Sequence, residues 1–363
     1  ILSRMNLQMV DPLKQGAVIG ILGGGQLGRM LAIAASRMGF KTHIFEPEKN
    51  PPASHVSDQL TTASYEDNNA LSKFAKSVDV ITFEFENIPA DALNAVEAIC
   101  DVLPARNALA TSQDRLKEKE FLSELNLKVA PYANVETEKD LILAIKAVGF
   151  PSILKTRRFG YDGKGQYKIN NAAELSVAWS ELGKSPCVLE GLVNFTKEIS
   201  VIGARSQNGE VVCYDPGENL HRDGILHTTS LPANITQSEN IDAVLLTGKI
   251  LNALNYVGVM GVELFVTKNG LLINEIAPRV HNSGHWTQNG CVIDQFEQHI
   301  RAVSGWPLGD GKRHSDILMT NLIGKEVLDV DKLSKDSNIG IHLYGKSEAK
   351  DGRKMGHINK IKN

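Results

Sequence analysis

Cysteine is scarce, with four in 363 residues. Cys100, Cys187, Cys213 and Cys291 form no C-x-x-C pair, and their wide scatter fits reduced, partly buried thiols in a cytoplasmic protein. Net charge is nearly absent too. A formal −3 gives no electrostatic case for a nucleic-acid partner or an anionic membrane. No apolar run approaches the ~20 residues of a membrane-spanning helix. There is no internal repeat and no low-complexity segment, and the glycine-rich stretch Thr156 to Gln166 does not follow the G-x-x-x-x-G-K-[ST] phosphate-loop pattern. Residues 1–15 hold Arg4 and a few Leu and Met without a continuous apolar core, so they read as a short extension and not a signal peptide.

What is present is ample core. Hydrophobic residues make up 42% of the chain, enough for two or three domains at this length. The most informative stretch runs from Gly261 to His285. Val262, Leu264 and Val266 alternate with Glu263 and Phe265, Thr267-Lys268-Asn269-Gly270 is a turn, and Leu271 to Ile273 return. A two-residue Asn-Gly turn would put Glu263 and Glu275 on opposite faces. A three-residue loop with Gly270 left-handed would pair them directly. Paired acids repel unless a cation sits between them, and with Asn274 they would suit Mg²⁺ on nucleotide phosphates. The other reading is a surface hairpin whose acids face water. Next, Ala277 to His285 packs Arg279, His281, Asn282, Ser283 and His285 into one loop, a density of donors that suits an anion.

Near the start, Ala17 to Leu22 reads as a buried strand, Gly23 to Gly28 as a G-x-G-x-x-G turn, Arg29 to Met38 as a helix and Lys41 to Phe45 as a second strand. This βαβ opening offers a helix N-terminus to a phosphate. Glu46 stands near the place of a ribose-binding acid, and Glu84 and Glu86 follow a strand at Val78 to Phe83. In the middle, a charged helix is expected from Ser112, as its cap, to Leu125, and another over Glu138 to Val148. Lys155 ends an apolar strand, where it costs desolvation unless it meets an anion. Thr156 to Gln166 then carries three glycines and three cations, the composition of a flexible cover over phosphates; a mobile basic hairpin is the plainer alternative. Cys187 to Val193 and Glu198 to Gly203 read as strands, with Glu190 or Glu198 available to ribose hydroxyls. Asn219 to Gly224 reads as a loop, and its His221 as structural or surface. Helices are expected over Asn240 to Asn255 and Asp294 to Val303, and strands over Ile317 to Ile323 and Ile339 to Tyr344. Lys346 and Arg353 belong to a second basic cluster, in which Arg353 is expected to matter more than Lys354.

With these residues in view, the chain resembles the ATP-grasp superfamily and, within it, the 5-(carboxyamino)imidazole ribonucleotide synthase family. The similarity rests on G-G-G-Q-L-G-R-M at Gly23 to Met30, G-Y-D-G-K-G-Q at Gly160 to Gln166, N-L-H-R-D-G-I-L at Asn219 to Leu226, and the twenty-residue run Leu271 to Gly290. It implies an α/β and α+β architecture: an open parallel α/β sheet, a small central flap domain and a C-terminal mixed-sheet domain, with ATP between the last two. The corresponding divisions are 1–15, 16–114, 115–195 and 196–363. The resemblance implies ATP contacts at Arg115, Lys155, the flap residues Gly160, Tyr161, Asp162, Gly163, Lys164, Gly165 and Gln166, the run Glu190, Gly191, Leu192 and Val193, then Glu198, His221, Asn274 and Glu275. Glu263 and Glu275 match its metal-binding acids, for Mg²⁺ or Mn²⁺. Gln26, Leu27, Tyr161, Asn282, Ser283, Lys346 and Arg353 match positions around the ribonucleotide. Arg279, His281, Asp162 and Lys164 match positions near the carboxyphosphate. The glycine turn is thereby reassigned from a dinucleotide to a ribonucleotide phosphate. A purine-pathway ligase using ATP, bicarbonate and 5-aminoimidazole ribonucleotide is implied, cytoplasmic and homodimeric, with relatives usually continuing past Asn363 into a terminal helix.

Other readings differ in what they leave unexplained. Another ATP-grasp ligase, such as a formate-dependent glycinamide ribonucleotide transformylase or a biotin carboxylase, shares the lysine, flap and paired acids, and the loop after Ala277 discriminates. An NAD-dependent oxidoreductase rests on Gly23 to Gly28 alone. A non-catalytic nucleotide-binding protein has no feature in its favour.

Overall fold

The computed structural model describes residues 11–160 and 163–362. Three sheets organise them. The first is parallel, in the order Gln59–Thr61, Lys41–Phe45, Val18–Leu22, Val80–Phe83. Strands such as Val-Ile-Gly-Ile-Leu carry no polar face, because helices cover both sides of a parallel sheet. The helix after the first strand spans Gln26–Arg37, starting three residues earlier than the glycine turn suggested, with Gly25 as its N-cap.

The second sheet is small and antiparallel, in the order Tyr132–Val135, Cys187–Gly191, Ser152–Thr156, Gln166–Ile169. Its helix Glu138–Val148 begins with a capping box, Thr137 and Asp140 satisfying each other's backbone amides. Leu141, Ala144, Leu154 and Trp179 share its core.

The third sheet has nine strands. Its main path runs Gly270–Ala277, Gly258–Thr267, Lys197–Arg205, Gly217–Arg222, Ile225–Ser230, Asp316–Ile323, Lys354–Lys362, Ile339–Leu343, with Val211–Cys213 paired to Lys197–Arg205. Its ladders are antiparallel, and a parallel bridge from Val129 to Ile273 extends one edge. The three-sheet architecture implied by the resemblance is therefore present.

Three local expectations change. Ser112 ends a helix, Arg106–Ser112, instead of starting one; its hydroxyl donates back to Ala108 O. The cap of the next helix, Arg115–Glu124, is Asp114, whose carboxylate accepts from Leu116 N–H at 3.0 Å. The stretch from Asn219 to Gly224 is half of a hairpin, turning at Asp223 and Gly224 with positive φ at both. The basic segment near the end opens a strand, Lys354–Lys362, between two others. No helix among the described residues is long and apolar enough to cross a membrane.

Candidate functional site

All three sheets border one cavity of about 600 Å³. Its floor is the hairpin of Gly258–Thr267 and Gly270–Ala277. Val262, Leu264 and Val266 point into the core, so Glu263 and Phe265 face the cavity. The loop residues are Lys268 and Asn269, with Gly270 at φ +98. That loop alone would pair Glu263 with Asn274. A bulge between Glu263 and Leu264 shifts the register, and Glu263 pairs with Glu275. The extra residue turns both Asn274 and Glu275 to the cavity. Thus the pairing weighed from the sequence is present, but a bulge produces it, not a longer loop.

The paired acids are held apart by different neighbours. Arg115 Nη1 lies 3.2 Å from Glu275 Oε2, and Asn274 Nδ2 donates to Glu263 Oε2 at 3.3 Å. Burial, reinforced by the Glu275 charge, pushes the Glu263 carboxyl up to about 7. A cation between the two would remove that penalty, and two carboxylates with an amide oxygen are hard donors of the kind Mg²⁺ takes. No group of three or more His, Cys, Asp or Glu among the described residues is arranged to hold a metal alone. Two carboxylates and one amide are too few to fill an octahedral Mg²⁺ shell, so an ion held here would take its remaining oxygens from water or phosphate.

Beside them, Lys155 Nζ sits 3.0 Å from Glu190 Oε2 and Lys119 Nζ 3.3 Å from Glu190 Oε1. Burial lowers the Lys155 ammonium from its ordinary value, with Glu190 opposing. Burial would raise the Glu190 carboxyl, but the two lysines hold it below the usual range. Lys119 and Glu118 were missed from the sequence. They lie on the charged helix where every position looked solvated; Lys119 shares a face with Arg115 at i,i+4 spacing, the one available signal.

Also in the lining, Arg279 forks onto Glu86, Nε to Oε2 at 2.5 Å and Nη2 to Oε1 at 3.3 Å. Burial alone would raise the Glu86 carboxyl, but Arg279 brings it below its ordinary value. His281 lines the cavity with Nε2 3.6 Å from Glu263 Oε1, and burial with Arg279 nearby pushes its imidazole down to about 3. Asn282 also lines it, and both its amide atoms are buried without a hydrogen-bond partner among the described residues. His221 pairs with Glu198; burial lowers its imidazole, but the carboxylate outweighs burial and raises it.

The glycine turn departs from expectation. Its amides are already engaged: Gly24 N–H donates to Glu46 Oε2 at 2.8 Å, Gly28 N–H to Glu84 Oε2 at 2.7 Å, and Gly25 N–H to Glu84 Oε1. A Cβ on Gly25 would stand 2.5 Å from that same carboxylate oxygen. The helix N-terminus is capped by the protein's own acids, which leaves these amides no room for a phosphate, although Gln26 and Leu27 do line the cavity. The Gly24, Gly25 and Gly28 amides thus hold carboxylates, while Gln26 and Leu27, the two positions matched to the ribonucleotide, lie in the cavity lining.

Of the other sequence candidates, Arg115, Lys155, Gly160, Gly163, Lys164, Gln166, Glu198, His221, Asn274 and Glu275 all border the cavity. Glu190 faces the two lysines instead. Gly191, Leu192 and Val193 lie outside the lining, where the Leu192 amide donates to Pro151 O. Gly165 is packed under the flap against Thr156. Ser283 is also outside, its hydroxyl turned to Ser200 and His281. Lys346 donates to Lys354 O and Arg353 to Glu348 O, so neither borders the cavity, whereas Lys354 does. Arg353 ends the turn before the strand and Lys354 opens the strand, a division the basic cluster alone does not reveal. Tyr161 and Asp162 lie outside the described residues.

Comparison with known proteins agrees with this architecture. The ribonucleotide synthetase preATP-grasp domain matches residues 17–113, the ATP-grasp domain 120–296, and the phosphoribosylaminoimidazole carboxylase C-terminal domain 318–363. An N5-carboxyaminoimidazole ribonucleotide synthase of Brucella melitensis biotype 1 is 50% identical over 353 residues, covering 96% of this chain and 98% of that relative. The crystal structure of N5-carboxyaminoimidazole synthetase from Staphylococcus aureus, complexed with ADP, superposes with a TM-score of 0.93 at 39% identity, covering 98% of this chain and 95% of that one. That of the Aspergillus clavatus N5-carboxyaminoimidazole synthase, with ADP and 5-aminoimidazole ribonucleotide, gives 0.90 at 31%, covering 96% and 94%. With half its residues shared with one such enzyme along almost its whole length, this chain belongs to the N5-carboxyaminoimidazole ribonucleotide synthase family of ATP-grasp proteins.

Proposed function

We propose that this protein carboxylates the exocyclic amine of 5-aminoimidazole ribonucleotide, using ATP and bicarbonate, in purine biosynthesis. The observation that carries the reading is that a paired-acid cluster with Lys155 and an Arg279–His281 cluster adjoin in the lining of one cavity. The first suits a nucleoside triphosphate and the second a small anionic intermediate. A bicarbonate oxygen attacks the γ-phosphorus, the bond to the ADP oxygen breaks, and carboxyphosphate forms. Carboxyphosphate then splits into CO₂ and phosphate beside the amine, the amine nitrogen bonds to the CO₂ carbon, and the proton that nitrogen loses passes to the released phosphate. Lys155 and Arg115 neutralise phosphate charge, Arg279 holds the carboxyphosphate, and the Gly160 to Gln166 flap excludes water from it. Glu263 and Glu275 would hold Mg²⁺, or Mn²⁺ in its place, which when bound neutralises charge on the transferring phosphoryl group. The stacked rings of Phe195 and Phe265, 4.6 Å apart and both at the cavity, offer an apolar platform on the nucleotide side. The family resemblance supports extending the proposal to a cytoplasmic homodimer.

ADP release measured with bicarbonate and Mg²⁺, with and without the ribonucleotide, tests the reading. A sharp rise only with 5-aminoimidazole ribonucleotide is expected. A rise with formate and glycinamide ribonucleotide, or with biotin, would replace the acceptor and overturn it.

A further inference from the structure

A buried chain of side-chain hydrogen bonds ends at His281, and the carboxylation chemistry uses none of its other members. Thr229 Oγ1 donates to Asn219 Oδ1 at 2.9 Å, Asn219 Nδ2 donates to Ser200 Oγ at 3.0 Å, and Ser200 Oγ donates to Ser283 Oγ at 2.6 Å. Ser283 Oγ lies 2.8 Å from His281 Nδ1. None of the five residues is more than 9% exposed. They come from four segments: the strands Ile225–Ser230, Gly217–Arg222 and Lys197–Arg205, and the turn Asn282–Gly284 that His281 caps.

The chain has a direction. A hydroxyl carries one hydrogen and an amide nitrogen only donates. Ser200 accepts from Asn219 and donates to Ser283, which leaves the Ser283 hydrogen available to His281 Nδ1. The far end agrees independently: the Ser283 backbone N–H, whose role cannot reverse, also points at His281 Nδ1, at 3.4 Å. Nδ1 is therefore an acceptor, and the ring hydrogen sits on Nε2. Nε2 faces the cavity, 3.6 Å from Glu263 Oε1, too far for a hydrogen bond.

We propose that Thr229, Asn219, Ser200 and Ser283 are positioning residues that lock His281 in its Nε2–H tautomer, so that His281 donates a hydrogen bond to a carboxyl oxygen of the bicarbonate-derived group and does not act as the base toward the amine. The identity of that oxygen rests on the proposed carboxylation; the tautomer does not. A fixed donor aimed into a water-poor cavity stabilises developing oxygen charge without reorganising, and a fully satisfied chain behind it holds the ring still. The residues of the loop after Ala277 thereby have separate roles. Arg279 and His281 face the cavity, and Ser283, which resembles a substrate contact in sequence, supports the ring from behind.

The test begins with ¹⁵N-histidine-labelled protein without substrates, the His281 signal being assigned by its loss in His281→Asn. The expected ring pattern has hydrogen-bearing Nε2 and bare Nδ1. The reverse pattern overturns the proposal, whatever the protein turns over. Ser283→Ala and Thr229→Val come next, with ATP-dependent thermal shift confirming that they are folded. Both should show a growing Nδ1–H population. In both, kcat for carboxylation should fall about tenfold or more while KM for ATP stays within about twofold, and Ser283→Thr should restore the wild-type tautomer. Folded variants with unchanged ring pattern, or with unchanged kcat despite a changed one, overturn it. If wild-type protein shows the Nε2–H pattern but makes no carboxyamino product, the carboxylation reading falls and the tautomer lock stands.

Discussion

Lys354 and Arg353 are adjacent cations with opposite fates. Lys354 borders the cavity, while Arg353 turns back onto Glu348 O. Replacing Lys354 with Ala should lower kcat/KM for the ribonucleotide by about tenfold or more, the scale of one lost charge contact of ~1.4 kcal/mol or above. Arg353→Ala should change it by less than about threefold. Equal losses in steady-state kinetics would show a diffuse basic patch and overturn the assignment. At this scale the sequence was informative where a residue's chemistry is fixed by its type. Glu263, Glu275, Arg279 and Lys155 all carry charges that are costly to bury alone, and all border the cavity. It was uninformative where the issue is which of two neighbours points inward, or, as for Lys119, whether a charged helix has a buried face.

At the scale of elements, the flap is set by a few backbone positions. Gly163 and Gly165 both have positive φ, +76 and +70. A Cβ on Gly165 would also stand 2.6 Å from Thr156 Oγ1, whereas one on Gly163 would come no nearer than 3.4 Å to a described residue, at the Gly224 Cα. Gly165→Ala should therefore reduce nucleotide-dependent ADP release more than Gly163→Ala, since both carry the left-handed strain of about 1 kcal/mol but only Gly165 adds a collision. Thermal unfolding should stay cooperative in both. A larger loss in Gly163→Ala would mean that the flap tip, and not its base, sets closure. The hairpin of the paired acids illustrates what was hidden. Alternation identified its inner and outer faces, but the pairing of Glu263 with Glu275 comes from a bulge at Asn274, which the succession of residue types did not mark.

At the scale of the molecule, His299 ties two sheets together. Its Nε2 meets Thr82 Oγ1 of the parallel sheet at 2.7 Å, and its Nδ1 accepts from Val259 N–H of the nine-stranded sheet at 3.0 Å. Burial pushes its imidazole from 6.5 down to about 3. The unfolded chain thus binds a proton below 6.5 that the folded chain refuses. The stability His299 contributes is complete above pH 6.5 and is lost as pH falls toward about 3. Measured by urea unfolding, the advantage of wild type over His299→Gln should shrink between pH 6.5 and 4.5, by a slope approaching about 1.4 kcal/mol per pH unit. A pH-independent difference would show that the ring is solvated and the two sheets are joined elsewhere.

The sequence by itself determined the strand–glycine turn–helix opening, the flap, and the hairpin followed by a donor-rich loop. Each of these depends on local periodicity, turn chemistry or a contiguous motif. Tertiary structure alone decided what those parts do to one another. Glu84, nearly sixty residues from the glycine turn, takes the Gly25 and Gly28 amides. Asn219 and Ser200 reach His281 only because three strands of the large sheet run side by side with its turn. Hydrogen bonds between side chains far apart in the chain depend on register and strand order, which are properties of the packed sheet and not of any segment within it.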